Sequence, residues 1–209
     1  MVAANGLLNF GPWDPGEWDQ IALNNGIAAV VLSLIGLSLI PLTGWAGQIN
    51  FAPLAFAGFG AFVFLKLAGD SGNLLWLPVV GLLCAPLGAV VALFAARLSG
   101  LYLALLSLAF ALVMGKLVLP HPKVFPTVHR FEDPSLFGYA IDSRYRFFVT
   151  LLFFLAFGIF ALVLLRRSRF GRRWIAMQDS EAAAATIGVN TIFTKVVVYA
   201  FSASIAGTA

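Results

Sequence analysis

From residue 21 onward, long apolar runs alternate with short polar links. A helix needs about 20 mostly apolar residues to cross the hydrocarbon of a bilayer. The first such run is 21–42, uncharged throughout, with Pro41 near its end. The second is 49–67, where Lys66 sits at the edge and can snorkel to the interface. The third is 74–96, opened by Trp76 and followed by Arg97. The fourth is 101–119, with Tyr102 near its start and Lys116 near its end. The fifth, 147–165, is the most lipophilic and runs straight into a group of arginines. A sixth begins at Val196 and reaches Ala209. That run is too short to cross, so the expectation is a spanning helix begun but not finished. The pattern predicts an all-α, polytopic transmembrane helical bundle with about five full spans plus a truncated sixth. Residues 1–20 hold Pro12, Pro15 and three acids, without the basic and apolar regions of a signal peptide. They are expected to form an N-terminal extramembrane segment, and 21–209 an incomplete membrane domain.

Composition agrees. Of 209 residues, 61% are hydrophobic and 11% charged, with a mean hydropathy of +0.95. A soluble domain carries about 25% charged residues, so the apolar excess must face lipid. The lone Cys84 excludes an internal disulfide and reads as a small packing residue.

The net charge of +4 is concentrated at Arg166, Arg167, Arg169, Arg172 and Arg173, directly after an apolar run. That placement orients a membrane protein and does not call for nucleic acid. It puts 166–195 in the cytoplasm. By alternation, 120–146 and the link around Asp70 lie outside, 43–48 and 97–100 inside, and the N-terminal segment outside. The outer loop runs against the rule, because it holds Lys123, Arg130, Arg144 and Arg146.

Two stretches carry candidate chemistry. Around Gly44, Gly47, Gly58 and Gly60, small residues let helix backbones approach closely. Gln48 and Asn50 are amides beside a span, and each needs a hydrogen-bond partner or water. They are either capping groups or the polar lining of a translocation path, and spacing does not separate the two. In the cytoplasmic stretch, Asp179 and Ser180 offer an N-cap, Glu181 places an acid on the first turn, and Ala182, Ala183, Ala184 and Ala185 favour helix. Gly188 supplies a stop. A helix of two turns is marginal alone in water and needs something to dock on.

Catalytic constellations are not legible. No phosphate-binding G-x-x-x-x-G-K-[ST] loop occurs, since Gly115-Lys116 is followed by Leu117. His121 and His129 lie in the outer loop without ligands at zinc spacing. The apolar runs hold almost no acid, unlike proton-coupled carriers. Ser107 reads as a serine bonded to its own helix backbone. The chain is therefore expected to be no enzyme and to carry no metal or cofactor.

From about residue 21 to 209 the chain resembles the permeases of branched-chain amino-acid ABC transporters. The resemblance rests on Gly44-Trp45-Ala46-Gly47-Gln48-Ile49-Asn50-Phe51 through Gly58-Phe59-Gly60-Ala61-Phe62, and on Leu98-Ser99-Gly100-Leu101-Tyr102-Leu103-Ala104-Leu105 with Leu108-Ala109-Phe110. A third block is Ser168-Arg169-Phe170-Gly171-Arg172-Arg173-Trp174, then Glu181 to Gly188, Lys195, Phe201-Ser202-Ala203 and Ala206-Gly207. The resemblance implies a multi-pass subunit of a prokaryotic plasma (inner) membrane, working by alternating access. It implies pairing with a second permease subunit, cytoplasmic ABC ATPase subunits that bind the ATP, and an extracytoplasmic substrate-binding protein. The cargo implied is a branched-chain amino acid, or urea or short amides. The coupling segment would lie within 166–195, with Asp179, Glu181, Ala183, Ala184 and Gly188 as coupling residues. Gln48 and Asn50 remain the substrate-path candidates. Two departures stand out. Gly188 follows Glu181 by seven residues where related permeases have six, and Phe125-Pro126-Thr127-Val128-His129-Arg130 replaces a Gly-rich outer-loop motif. The rival reading from another class is an ATP-independent secondary carrier or channel.

Overall fold

The computed structural model describes residues 17–69, 72–95, 98, 101–121, 135–136, 139–141, 144–186, 188 and 190–209. The N-terminal segment up to residue 16, Asp70, Arg97, Gly100 and most of the outer loop, including Lys123, His129 and Arg130, lie outside the described residues.

Helix α1 (Glu17–Leu37) leads into a widened π turn, Ile40–Trp45. Pro41 lacks an N–H and cannot continue the α ladder. Bonds from Ala46 N to the Pro41 carbonyl (3.1 Å) and from Gln48 N to the Leu42 carbonyl (3.0 Å) close the turn instead. α2 (Pro53–Ala68) follows, then a 3-10 turn, Leu74–Trp76, that feeds α3 (Leu77–Ala95). α4 (Leu101–Val113) ends in a second π turn, Met114–Val118. A two-residue ladder pairs β1 (Ser135–Leu136) with β2 (Tyr139–Ala140). α5 (Arg144–Arg167), α6 (Arg169–Asp179), α7 (Glu181–Thr186) and α8 (Thr191–Thr208) complete the chain.

Among the described residues, five stretches are long and apolar enough to cross a membrane: Ile21–Trp45, Leu74–Phe94, Leu101–Val118, Arg144–Arg167 and Thr191–Thr208. The number matches expectation, but the membership differs. The expected run 49–67 shortens to the 16 residues of α2, about 24 Å of helix. Asn50 is the cause. Its side-chain oxygen accepts from Ala52 N at 2.9 Å, which holds the backbone out of helix until Pro53 starts one.

The last helix is corrected in the other direction. It starts at Thr191, not Val196, because Asn190 caps it by accepting from Phe193 N at 3.0 Å. Lys195 is carried inside the helix and buried. At 18 residues, about 27 Å, α8 is long enough to count as a span.

α8 is the axis of the packing, lying along α3 and α2. Small residues make that possible. A Cβ on Gly88 would stand 2.6 Å from the Cβ of Ala203, and one on Gly60 would run into the backbone of Gly207. Gly207 in turn abuts the Cys84 side chain. In lipid, where apolar transfer no longer drives association, such close backbone approach and buried hydrogen bonds hold helices together. One such bond runs from Ser202 Oγ to the Ser38 carbonyl at 2.6 Å. α5 stands apart. It packs along α1 and meets α6 at its end, and Leu162 is its one buried residue among those described. Phe153, Phe157, Phe160 and Leu164 stay exposed, as side chains solvated by lipid would be.

Candidate functional site

The chain's turns gather at two ends. At one, Ser135 N donates to the Gly72 carbonyl at 3.2 Å, and Arg144 reaches Asn24 at 3.4 Å. At the other, the 46–49 loop, Leu98 and the junction of α6 with α7 meet around a cavity of about 330 Å³. Its walls include Gln48, Leu103, Met177, Gln178, Asp179, Ser180 and Lys195.

The loop reaches this cavity through Gly47, whose φ of +65° is left-handed and favours glycine. A Cβ there would also stand 3.1 Å from Cγ of Gln178. The loop therefore touches the last turn of α6 directly. α6 is held against the bundle by Trp174, which stacks on Trp45 with centroids 6.0 Å apart and meets Phe201 at 6.1 Å. Gly171, Trp174 and Met177 form its buried face. Ser168 caps it by accepting from Gly171 N at 3.3 Å.

Both candidate path amides are buried, Gln48 at 8% exposure and Asn50 at 4%. Gln48 lines the cavity. Asn50 spends its oxygen as a cap, as one of the two readings required. Yet Asn50 Nδ2 and Gln48 Oε1 have no hydrogen-bond partner among the described residues. Leaving such a group unpaired costs about 1–3 kcal/mol, so each amide also retains the capacity to hold a polar solute or water. Ser107 does more than bond its own helix. Its Oγ donates to the Ala104 carbonyl (2.9 Å) and accepts from Phe51 N (3.0 Å), tying the loop to α4.

The expected coupling residues fall together at the same end. Asp179 closes α6 and Glu181 opens α7. Ser180 Oγ accepts from Ala183 N at 3.2 Å, so the expected cap is present. Gly188 has a φ of +84°, as a left-handed stop requires. Ala184 is 2% exposed, packed inward, while Ala183, Ala185 and Thr186 face outward. Among the described side chains of α7, the open face is thus Ala183, Ala185 and Thr186, not Ala184.

The sequence reading missed Gln178, Met177 and Lys195 as neighbours of the loop, and the Tyr199 hydroxyl, which is buried with no hydrogen-bond partner among the described residues. A single Tyr in the apolar run 196–209 was the available signal.

Comparison with known proteins gives this geometry its setting. The family described as branched-chain amino acid transport system / permease component matches residues 21–209. The high-affinity branched-chain amino acid transport system permease protein LivM of Escherichia coli (strain K12) is 24% identical over 206 aligned residues. That alignment covers 85% of this chain and 48% of the relative. LivM of Salmonella typhimurium matches to the same extent. The chain therefore spans about half the length of the curated relatives it matches. No solved structure gives a significant match. With five helices among the described residues able to cross a membrane and a family match from residue 21 to 209, the chain belongs to the permease components of branched-chain amino acid transport systems.

Proposed function

We propose that the chain builds part of the translocation path of an ABC importer for branched-chain amino acids, with ATP hydrolysed by a separate subunit. A second permease subunit completes the path, and a binding protein delivers the cargo from outside. The observation that carries this reading is the seating of α7. It is a capped helix of six residues, closed by a left-handed Gly188, whose alanines at 183 and 185 face away from the protein. Such a helix has little stability of its own, and its small outer face suits insertion into a groove on a partner.

The contact between Gly47 and Gln178 gives the docking a consequence. A push on α6 and α7 reaches the loop that carries Gln48 and Asn50 without an intervening element. The ATPase would thereby move the path amides in each cycle. The test is Ala183→Arg, with the chain co-expressed with its cognate ABC ATPase, second permease subunit and binding protein. Recovery of the ATPase with the membrane complex and uptake of leucine are both read. Losing about 1.4 kcal/mol at the contact lowers recovery on the order of tenfold. Recovery and uptake equal to the unsubstituted chain would show α7 to be a connecting loop.

A further inference from the structure

We propose that the elbow between α5 and α6 binds the headgroup of an anionic phospholipid. Arg166 and Arg167 end α5, and Arg169, Arg172 and Arg173 follow on α6. All five side chains are exposed, and neither helix contains an acid before Asp179. The positions of the last three put them on one side of α6, away from Gly171, Trp174 and Met177. Five positive charges thus crowd into eight residues without local neutralisation.

The setting selects lipid as the partner. α5 packs along α1 and is otherwise exposed apolar surface, so acyl chains surround it up to Leu164. The headgroup layer then meets the chain where the arginines begin. Phe170, 46% exposed, stands among them and offers an apolar anchor at that depth. The elbow itself is fixed, because Gly171 lies against the carbonyls of Leu165 and Arg166 too closely to admit a side chain. A phosphodiester offers a negative charge and paired oxygens that the guanidinium fork matches bidentately. Basic clusters at this position attract anionic lipid by about fivefold per residue, and salt weakens the attraction.

The test uses the full chain reconstituted in phosphatidylcholine bilayers, with spin-labelled phosphatidylglycerol and spin-labelled phosphatidylcholine as probes. The fraction of each probe immobilised by the protein gives a selectivity ratio. Arg166→Gln/Arg169→Gln/Arg173→Gln should lower the phosphatidylglycerol selectivity by about tenfold or more, with Arg167 and Arg172 left to hold the orientation. The Lys versions at the three positions should restore most of it. Arg144→Gln/Arg146→Gln, at the opposite end of α5 where no five-arginine cluster stands, should lower it by clearly less than the triple variant does. Unchanged selectivity in the triple Gln variant would overturn the proposal. So would an equal loss of phosphatidylcholine contact, which would indicate disturbed folding. Intact lipid selectivity with lost ATPase recovery would assign the arginines to a protein partner instead and also refute it.

Discussion

Replacing Gly88 with Ala tests the packing that organises the bundle. The added Cβ would stand 2.6 Å from Cβ of Ala203 and 2.6 Å from the Tyr199 carbonyl oxygen. Carbon atoms prefer about 3.5–4.0 Å, so α8 would have to retreat by about 1 Å. Retreat is blocked on another side, where Gly60 of α2 meets the backbone of Gly207. Overpacking of this kind costs about 1–3 kcal/mol, and a clash that includes the α8 backbone at Tyr199 argues for at least the middle of that range. For a chain of this size, about 2 kcal/mol corresponds to a fall of roughly 4–8 °C in Tm. The matched control is Gly36→Ala, where nothing lies within 4 Å and the added methyl favours helix by up to ~1 kcal/mol. Thermal unfolding of both variants in one detergent makes the comparison. If Gly88→Ala melts with or above Gly36→Ala, α3 and α8 do not approach as described.

Two further outcomes follow from the same geometry. With Cys84 replaced by Ala, a membrane-impermeant thiol reagent added to intact cells should label Ser135→Cys and spare Ser180→Cys, because the arginines after Leu165 hold that end inside; the reverse pattern would invert the orientation. Gly47→Val should cost roughly 1–2 kcal/mol for its left-handed backbone and press on Gln178, so leucine uptake falls while ATPase recovery stays normal. Normal uptake in that variant would remove the loop from the coupling route.

Much of this was legible in the residues, and what was not has identifiable causes. Apolar runs located the spans because lipid imposes length and polarity on each helix separately. Their ends were set by single polar side chains. Asn50 removed the start of α2, and Asn190 extended α8 back past Lys195, where a hydropathy reading stops at the charge. α6 lies within 166–195, a stretch expected as a cytoplasmic coupling segment without this helix. Its alternation of Arg169, Arg172 and Arg173 with Gly171, Trp174 and Met177 was nevertheless a visible amphipathic signal. The cap at Ser180 and the stop at Gly188 were local and came out as expected. The inward turn of Ala184 and the meeting of Gly47 with Gln178 were not local. The first comes from packing beside α6 and α8, the second joins parts of the chain more than a hundred residues apart, and no spacing rule encodes either.

The proposed function stands or falls with docking of an ATPase on the outer face of α7. The most direct measurement places a cysteine at Ala183, with Cys84 replaced by Ala, and a short bismaleimide bridges it to the co-expressed ABC ATPase in native membranes. Ser135→Cys, at the opposite end of the bundle, serves as the comparison. The expected result is a crosslinked band from position 183 and none from 135. A complex that carries the ATPase but gives no crosslink from 183, or an equal one from 135, would contradict it.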